Sequence, residues 1–142
     1  MESGLVSIIT PMYNGATFVG QTIESVLKQT YEKWEMIIVD DFSPDDGSGI
    51  REVKRYTDNR IFLIENKVNS GSSGARNTAL RVAKGQYIAF LDADDLWHPS
   101  FLEKQLNFMK DKNASIVFSS YRRIEELTSE EILSPFIVPN KV

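Results

Sequence analysis

Short runs of apolar, mostly β-branched residues, each stopped by polar or turn-forming residues and followed by a segment of helical periodicity, recur along this chain. No other feature constrains the fold as much, because parallel strands need a crossover long enough to return the chain, and a helix is the usual one. Leu5-Val6-Ser7-Ile8-Ile9-Thr10, stopped by Pro11, reads as a buried strand. After Met12-Tyr13-Asn14-Gly15, residues Val19, Ile23, Val26 and Leu27 repeat at helical spacing, with Glu24 and Lys28 on the other face. A second strand, Trp34–Val39, ends in Asp40-Asp41 and leads through a polar loop to a helix over about Ile50 to Tyr56. Ile61–Ile64 is the third strand, and the Gly/Ser loop Asn69–Gly74 precedes a helix carrying Ala75, Ala79, Leu80, Val82 and Ala83. Gly85 stands where that helix should stop.

The fourth strand, Tyr87–Leu91, runs directly into Asp92-Ala93-Asp94-Asp95. Pro99 opens a further helix, with Phe101, Leu102, Gln105, Leu106 and Met109 on its inward side. Ser115–Tyr121 has the composition of a fifth strand, and the pattern weakens beyond Glu125. The expected class is α/β: a mostly parallel sheet with helices on both faces, joined by right-handed crossovers. Strands that are almost wholly apolar, rather than alternating, agree with burial on both sides.

Composition sets the outer limits. A chain of 142 residues, 42% hydrophobic and 25% charged, suits one soluble globular domain. A net charge of -4 points to no nucleic-acid partner. The absence of cysteine excludes disulfides and thiolate metal sites. Met1-Glu2-Ser3-Gly4 carries neither the basic region nor the apolar run of a signal peptide, and no apolar stretch is long enough to span a membrane. A cytoplasmic location is therefore expected, with any peripheral contact at the inner membrane face falling to a surface or to regions outside this chain.

In open α/β sheets, ligands bind beyond the carboxyl ends of the strands. Here those ends supply Pro11 and Tyr13, Asp40-Asp41, the Gly/Ser loop with Arg76, and Asp92-Ala93-Asp94. In an extended segment, residues two apart point the same way, so Asp92 and Asp94 are expected to face one ligand. Two close carboxylates repel unless a cation relieves them, and hard oxygen ligands suit Mg²⁺ or Mn²⁺ completed by substrate phosphates. Each residue also has a plainer reading. The acids can cap turns, Tyr13 can be an edge aromatic, Ser72-Ser73-Gly74 can be only a loop, and Arg76 can be a solvated helix residue. Trp97 and His98 read as packing of the turn into the next helix. Asp45-Asp46-Gly47 lacks the spaced acids and closing Glu of a calcium loop.

Together, several segments resemble the family 2 inverting glycosyltransferases of the GT-A fold, similar to bacterial enzymes of cell-surface polysaccharide synthesis such as that of teichuronic acid. They are Val6–Asn14, Ser25–Tyr31, Trp34–Asp41, Gly74-Ala75-Arg76-Asn77 and Gly85–Asp95. The resemblance implies a Rossmann-like sheet and a hexosyltransferase-type transfer from a nucleoside-diphosphate sugar, most often a UDP-sugar, to a polysaccharide or lipid-linked acceptor, with inversion. It implies that Pro11 and Tyr13 border the base and that Asp41 hydrogen-bonds it. Gly74, Ala75 and Arg76 would lie against the nucleoside and diphosphate, and Asp92 and Ala93 near the ribose or metal shell. Asp94, with Asp92, would hold Mg²⁺ or Mn²⁺. On this reading residues 1–124 form the nucleotide-sugar-binding half, and 125–142 begin a truncated acceptor-side region. The general base is expected beyond Val142, since Glu125, Glu126, Glu130 and Glu131 read as a solvated helix face. Donor binding without efficient transfer is the consequence, and uncovered apolar surface would invite self-association.

Rival readings fit less well. A haloacid-dehalogenase-type phosphatase places its acidic pair after the first strand, which here ends in Thr10-Pro11. A dinucleotide oxidoreductase wants its glycine fingerprint there as well, and a response-regulator-like module would carry acids after strands one and three. A non-catalytic nucleotide-binding module stays open, since donor binding and transfer use different residues.

Overall fold

Two strands carry the core. The structure is a computed structural model and describes residues 1–124 and 131–133. In it β1 (Glu2–Met12) and β2 (Trp34–Asp40) pair in parallel from Val6↔Trp34 to Met12↔Asp40. Every residue of β2 is buried, as is β1 from Leu5 to Thr10, so neither face of this pair meets water. Burying one Ile or Val side chain contributes about 1.5–3 kcal/mol. Ile8, Ile9, Ile37, Ile38 and Val39 of the pair are all buried, as are Ile23 and Val26 in the segment that follows β1, and they make this region the fold's stable centre.

β3 (Ile61–Glu65) joins β2 and β4 (Gly85–Phe90) joins β1, both in parallel, giving the order β3-β2-β1-β4. The helices α1 (Val19–Leu27), α2 (Ser48–Lys54) and α3 (Gly71–Val82) connect successive strands. With right-handed crossovers, two steps in one direction put α1 and α2 on one face, where they pack on each other. The third step reverses direction and puts α3 on the opposite face. There Ala75 and Ala79 lie against Ile9, Ile37 and Val39. The expected parallel sheet with helices on both faces forms, but burial on both sides holds for β1 and β2 only. In the edge strands Phe62, Ile88 and Phe90 are exposed, because an edge strand is covered less completely by the helices.

A polar network pins the lower end of the sheet. The Ser7 hydroxyl donates to Glu35 Oε1 at 2.6 Å, and the amides of Lys84 and Gly85 donate to Glu35 Oε1 and Ser7 Oγ at 2.7 and 2.8 Å. These bonds fix where the chain turns out of α3 into β4, so Gly85 does more than stop a helix. A Cβ there would lie 2.6 Å from the Ser7 nitrogen and 2.8 Å from the Leu5 carbonyl oxygen.

The chain divides into two compact units, Met1–Glu103 and Lys104–Val142. The helix α4 (Phe101–Asp111) begins in the first, where Leu102 N donates to Gln29 Oε1. Pro99 lies in the turn just before α4. Trp97 stacks on Phe101 at 4.5 Å and His98 bonds Ser100, in keeping with a packing role for both. In the second unit, β5 (Arg122–Ile124) pairs antiparallel with β6 (Glu131–Leu133).

Two sequence expectations give way here. Ser115–Tyr121 is irregular rather than a fifth strand, with Ile116 and Phe118 exposed, because strand-prone composition makes a strand only where a partner pairs with it. Glu131 opens β6, so it belongs to no helix face; Glu125, Glu126 and Glu130 lie outside the described residues.

Gly85→Ala forces a side chain against backbone that cannot yield without loosening the β1–β4 pairing. The expected loss is about 1–3 kcal/mol, the usual range for overpacking. Urea denaturation of the variant beside the parent chain measures it.

Candidate functional site

Between β1 and β4 the connections run in opposite directions, and the carboxyl ends of the strands open there into a cleft. Its volume is about 520 Å³. Of the residues singled out in the sequence, Pro11, Tyr13, Asp41, Arg76, Asp92, Ala93 and Asp94 all line it. Gly74 does not. It lies one turn inside α3, where a Cβ would come within 2.4 Å of Ser70 Oγ, and the cleft is lined instead by Gly71 and Ser72. The stretch read as a Gly/Ser loop is therefore mostly the first turn of α3, whose amino end faces the cleft. Orphan amides and the helix dipole favour an anion at such an end.

The residues that position the cleft are tied down individually. Past the ends of the paired strands, Asp41 N still donates to Met12 O, and Asn14 N donates to Ser43 Oγ. Asp40 and Asp41, ambiguous as a pair in the sequence, divide two roles. Asp40 receives the amide and hydroxyl of Ser43 and so closes the turn. Asp41 is almost wholly buried yet borders the cleft. Its carboxylate accepts Asn66 Nδ2 at 2.7 Å, Ser70 Oγ at 2.7 Å and the Ser70 amide at 3.0 Å. Burial alone would raise its pKa, but these hydrogen bonds outweigh that and hold it below its ordinary value. Asp45 behaves similarly: burial pushes it up, and the Gly49 and Gly47 amides with Ser48 bring it down, which is the turn-capping role.

The acidic segment is anchored from α1. Thr22 Oγ1 donates to Ala93 O at 2.8 Å, and Trp97 N donates to Ser25 Oγ. The segment is not extended as expected. β4 ends at Phe90, and Asp95 N donates back to Asp92 O, folding Asp92 to Asp95 into a turn. A turn lets three neighbouring acids gather without a strand partner, and Asp92 and Asp94 still reach the same cleft. Asp92 Oδ1 pairs with Arg76 Nη2 at 2.6 Å, while Arg76 Nη1 donates to Ser72 Oγ at 3.3 Å. Asp94 is exposed. Asp95 is pushed above its ordinary value by partial burial and then by the charges of Asp94 and Asp92. Since its surface is largely open, the like charges are the part of that push the geometry supports best. A second hollow, about 340 Å³, shares Arg76 and Asp92 with the first and adds Phe90 and Asp95.

Among the described residues, no three His, Cys, Asp or Glu side chains are grouped so as to hold a metal by themselves. One or two carboxylates still fit a Mg²⁺-like ion whose other ligands are waters and substrate phosphates. Asp94 is the free donor and Asp92 the one already neutralised by Arg76. The sequence reading missed Met12, Asn14, Gly15, Phe18 and Asn69 on the cleft wall. Asn14, with φ of 53°, carried a faint signal, because asparagine tolerates the left-handed region and often marks a shaped turn. The phosphatase alternative is no better placed here, since its acidic pair would have to follow β1, which ends in Pro11-Met12.

Residues 7–140 match the model of glycosyl transferase family 2. The chain belongs to that family. It is 42% identical over 142 residues to the UDP-Glc:alpha-D-GlcNAc-diphosphoundecaprenol beta-1,3-glucosyltransferase WfgD of Escherichia coli, covering 100% of this chain and 54% of that one. It is 46% identical over 117 residues to TuaG of Bacillus subtilis (strain 168), whose name assigns it provisionally to teichuronic acid biosynthesis, covering 82% of this chain and 46% of that one. The chain thus spans about half the length of the curated relatives it matches. Among solved structures, S. aureus TarS 1-349 in complex with UDP-GlcNAc superposes with a TM-score of 0.66 at 29% identity, covering 76% of this chain and 32% of that one. The mannosyltransferase PcManGT of Pyrobaculum calidifontis, in complex with GDP-Man and Mn2+, gives 0.66 at 30% identity, covering 73% and 32%. The GT-A likeness and the link to bacterial cell-surface glycan enzymes expected from the sequence are met.

The hydrogen bonds to Asp41 favour its ionised form, so their stabilisation is complete above the ordinary carboxylate value of 3.8 and is lost as pH falls through the lower folded-state value. Urea midpoints taken at intervals below pH 5 should fall steeply for the parent chain. Asp41→Asn, which carries no titrating group at this position, should start lower and fall less.

Proposed function

We infer that residues 1–124 are the donor-binding half of a glycosyltransferase that moves a sugar from a UDP-sugar to a lipid-linked or polysaccharide acceptor of the bacterial cell surface, with inversion. One observation carries this reading: an aromatic ring, a buried carboxylate, an arginine, a helix amino end and an acidic turn line one cleft at the strand-order reversal. Tyr13, 53% exposed, offers a flat face beside Pro11 on which a base stacks. Asp41 accepts a hydrogen bond from the base. The first turn of α3 and Arg76 receive the diphosphate, with the guanidinium contributing charge-assisted contacts. Ala93 and Asp92 border the ribose. The UDP-GlcNAc complex of TarS and the GDP-Man complex of PcManGT support a nucleotide-sugar donor.

Asp94, with Asp92, would hold a divalent cation, and the Mn2+ in the complex of the structural neighbour PcManGT supports this reading. A bound Mg²⁺ or Mn²⁺ supplies Lewis-acid neutralisation of charge on the departing diphosphate. The residues of this chain bind and orient the donor. Deprotonation of the acceptor hydroxyl is assigned to a general base in the acceptor-side region that begins at residue 125 and that longer relatives carry further. The proposed location is the cytoplasm, at the cytoplasmic face of the membrane where a lipid-linked acceptor is reached. No helix among the described residues is long and apolar enough to cross a membrane.

Calorimetric titration of the purified chain with UDP, with and without Mn²⁺, tests the reading. UDP binding should strengthen with the ion, and Asp94→Ala should weaken the ion-supported binding at least about tenfold. A folded sample that binds no nucleotide would remove the donor-binding assignment.

A further inference from the structure

The Asp41 carboxylate accepts several hydrogen bonds, and their donors come from one short loop. Asn66 Nδ2 reaches Oδ1, and Ser70 contributes both its hydroxyl and its amide. Ser70 stands at the position before α3 where a serine hydroxyl ordinarily accepts an amide of the first helical turn. Here the hydroxyl makes no capping bond and donates to Asp41 at 2.7 Å instead. Asn66 reinforces this by also donating to Ser70 Oγ at 3.2 Å, and its own amide bonds the Asp40 carbonyl at 2.9 Å. The helix gives up a cap and the carboxylate gains an orientation.

That exchange has a chemical meaning at the cleft. Oδ1 takes both side-chain donors and shares the Ser70 amide with Oδ2, the Gly71 amide also favouring the ionised carboxylate, so that among the described residues Oδ2 receives no side-chain donor. Oδ2 therefore keeps accepting capacity, on a residue that borders the cleft. A fixed, ionised acceptor matches a ring N–H such as the imide of uracil and opposes a ring nitrogen that presents only a lone pair, as in cytosine. Leaving a buried acceptor against a lone pair is the kind of mismatch that discriminates ligands strongly.

We propose that Asn66 and Ser70 are positioning residues that set nucleobase selectivity by fixing the Asp41 carboxylate for a base carrying a ring N–H. The proposal rests on the donor-binding reading above. It also joins base recognition to phosphate recognition, because the loop that orients Asp41 continues directly into Gly71 and Ser72 at the amino end of α3.

UDP and CDP binding to the parent chain, Asn66→Ala, Ser70→Ala, Ser70→Thr and Asp41→Asn distinguishes the outcomes, with each variant first checked for a cooperative thermal transition. Asn66 is half-buried and Ser70 exposed, so both positions tolerate truncation. Asn66→Ala and Ser70→Ala should each lower UDP affinity about five- to tenfold and narrow the UDP-to-CDP ratio by a similar factor. Ser70→Thr, which keeps the hydroxyl, should restore both. Added to Asp41→Asn, neither truncation should cost anything further, since both act through that carboxylate. Variants that match the parent in affinity and ratio would overturn the positioning role, as would a full loss persisting in the Asp41→Asn background. A parent chain that binds UDP in the first case separates that failure from failure of the donor-binding reading, in which the parent itself binds no nucleotide.

Discussion

β1 is bonded on both edges and covered on both faces, and the position of everything else follows from that confinement. Its left and right neighbours, β2 and β4, are reached by connections that run in opposite directions. The chain segments leaving their carboxyl ends consequently diverge, and the space between them cannot be filled by either crossover. A cleft at that point is a result of strand order. Side chains then decide what it holds.

Charge is distributed unevenly around that cleft, and the unevenness matters more than the net value. Asp41 is buried and held by the Asn66–Ser70 loop, Asp92 is paired with Arg76, and Asp94 is exposed beside Asp95, whose proton partial burial and the charges of Asp94 and Asp92 hold more tightly. One carboxylate is thus suited to a fixed directional contact, one to modulating an arginine, and one to exchanging solvent for a cation. Three aspartates of the same intrinsic chemistry acquire different uses from their surroundings. The polar anchors from α1, through Thr22 and Ser25, keep the acidic turn from shifting as these charges are filled or emptied.

Much of this was legible in the sequence, and for identifiable reasons. Runs such as Trp34–Val39 are so uniformly apolar that only a strand covered on both faces accommodates them, and the strand-end rule then located Tyr13, Asp41 and Asp92–Asp94 together. What escaped depended on contacts remote in sequence. Ser115–Tyr121 has strand composition but no strand partner among the described residues. Asp92–Asp94 was read as extended, yet the chain turns there because Thr22 of a distant helix holds Ala93. The start of α3 at Gly71 was hidden because its first turn, Gly71-Ser72-Ser73-Gly74, is made of poor helix formers and so reads as a loop. The division of labour between Asp40 and Asp41 was equally invisible, since adjacent identical residues differ only in which neighbours the fold brings to them.

The polar network beneath the sheet joins Ser7 to Gly85 across 78 positions of chain. Loop-closure entropy makes so distant a pairing a late event, whereas β1, β2 and β3 follow one another with short connections. On a ribosome, where the amino-terminal part emerges first, the three-stranded layer is complete before β4 is available. The cleft has one wall from each side of that boundary, with Tyr13 and Asp41 on the early side and Asp92 and Asp94 on the late one. A nascent chain therefore acquires a three-stranded sheet before it acquires a complete cleft, and anything bound there can assist only the last step of assembly.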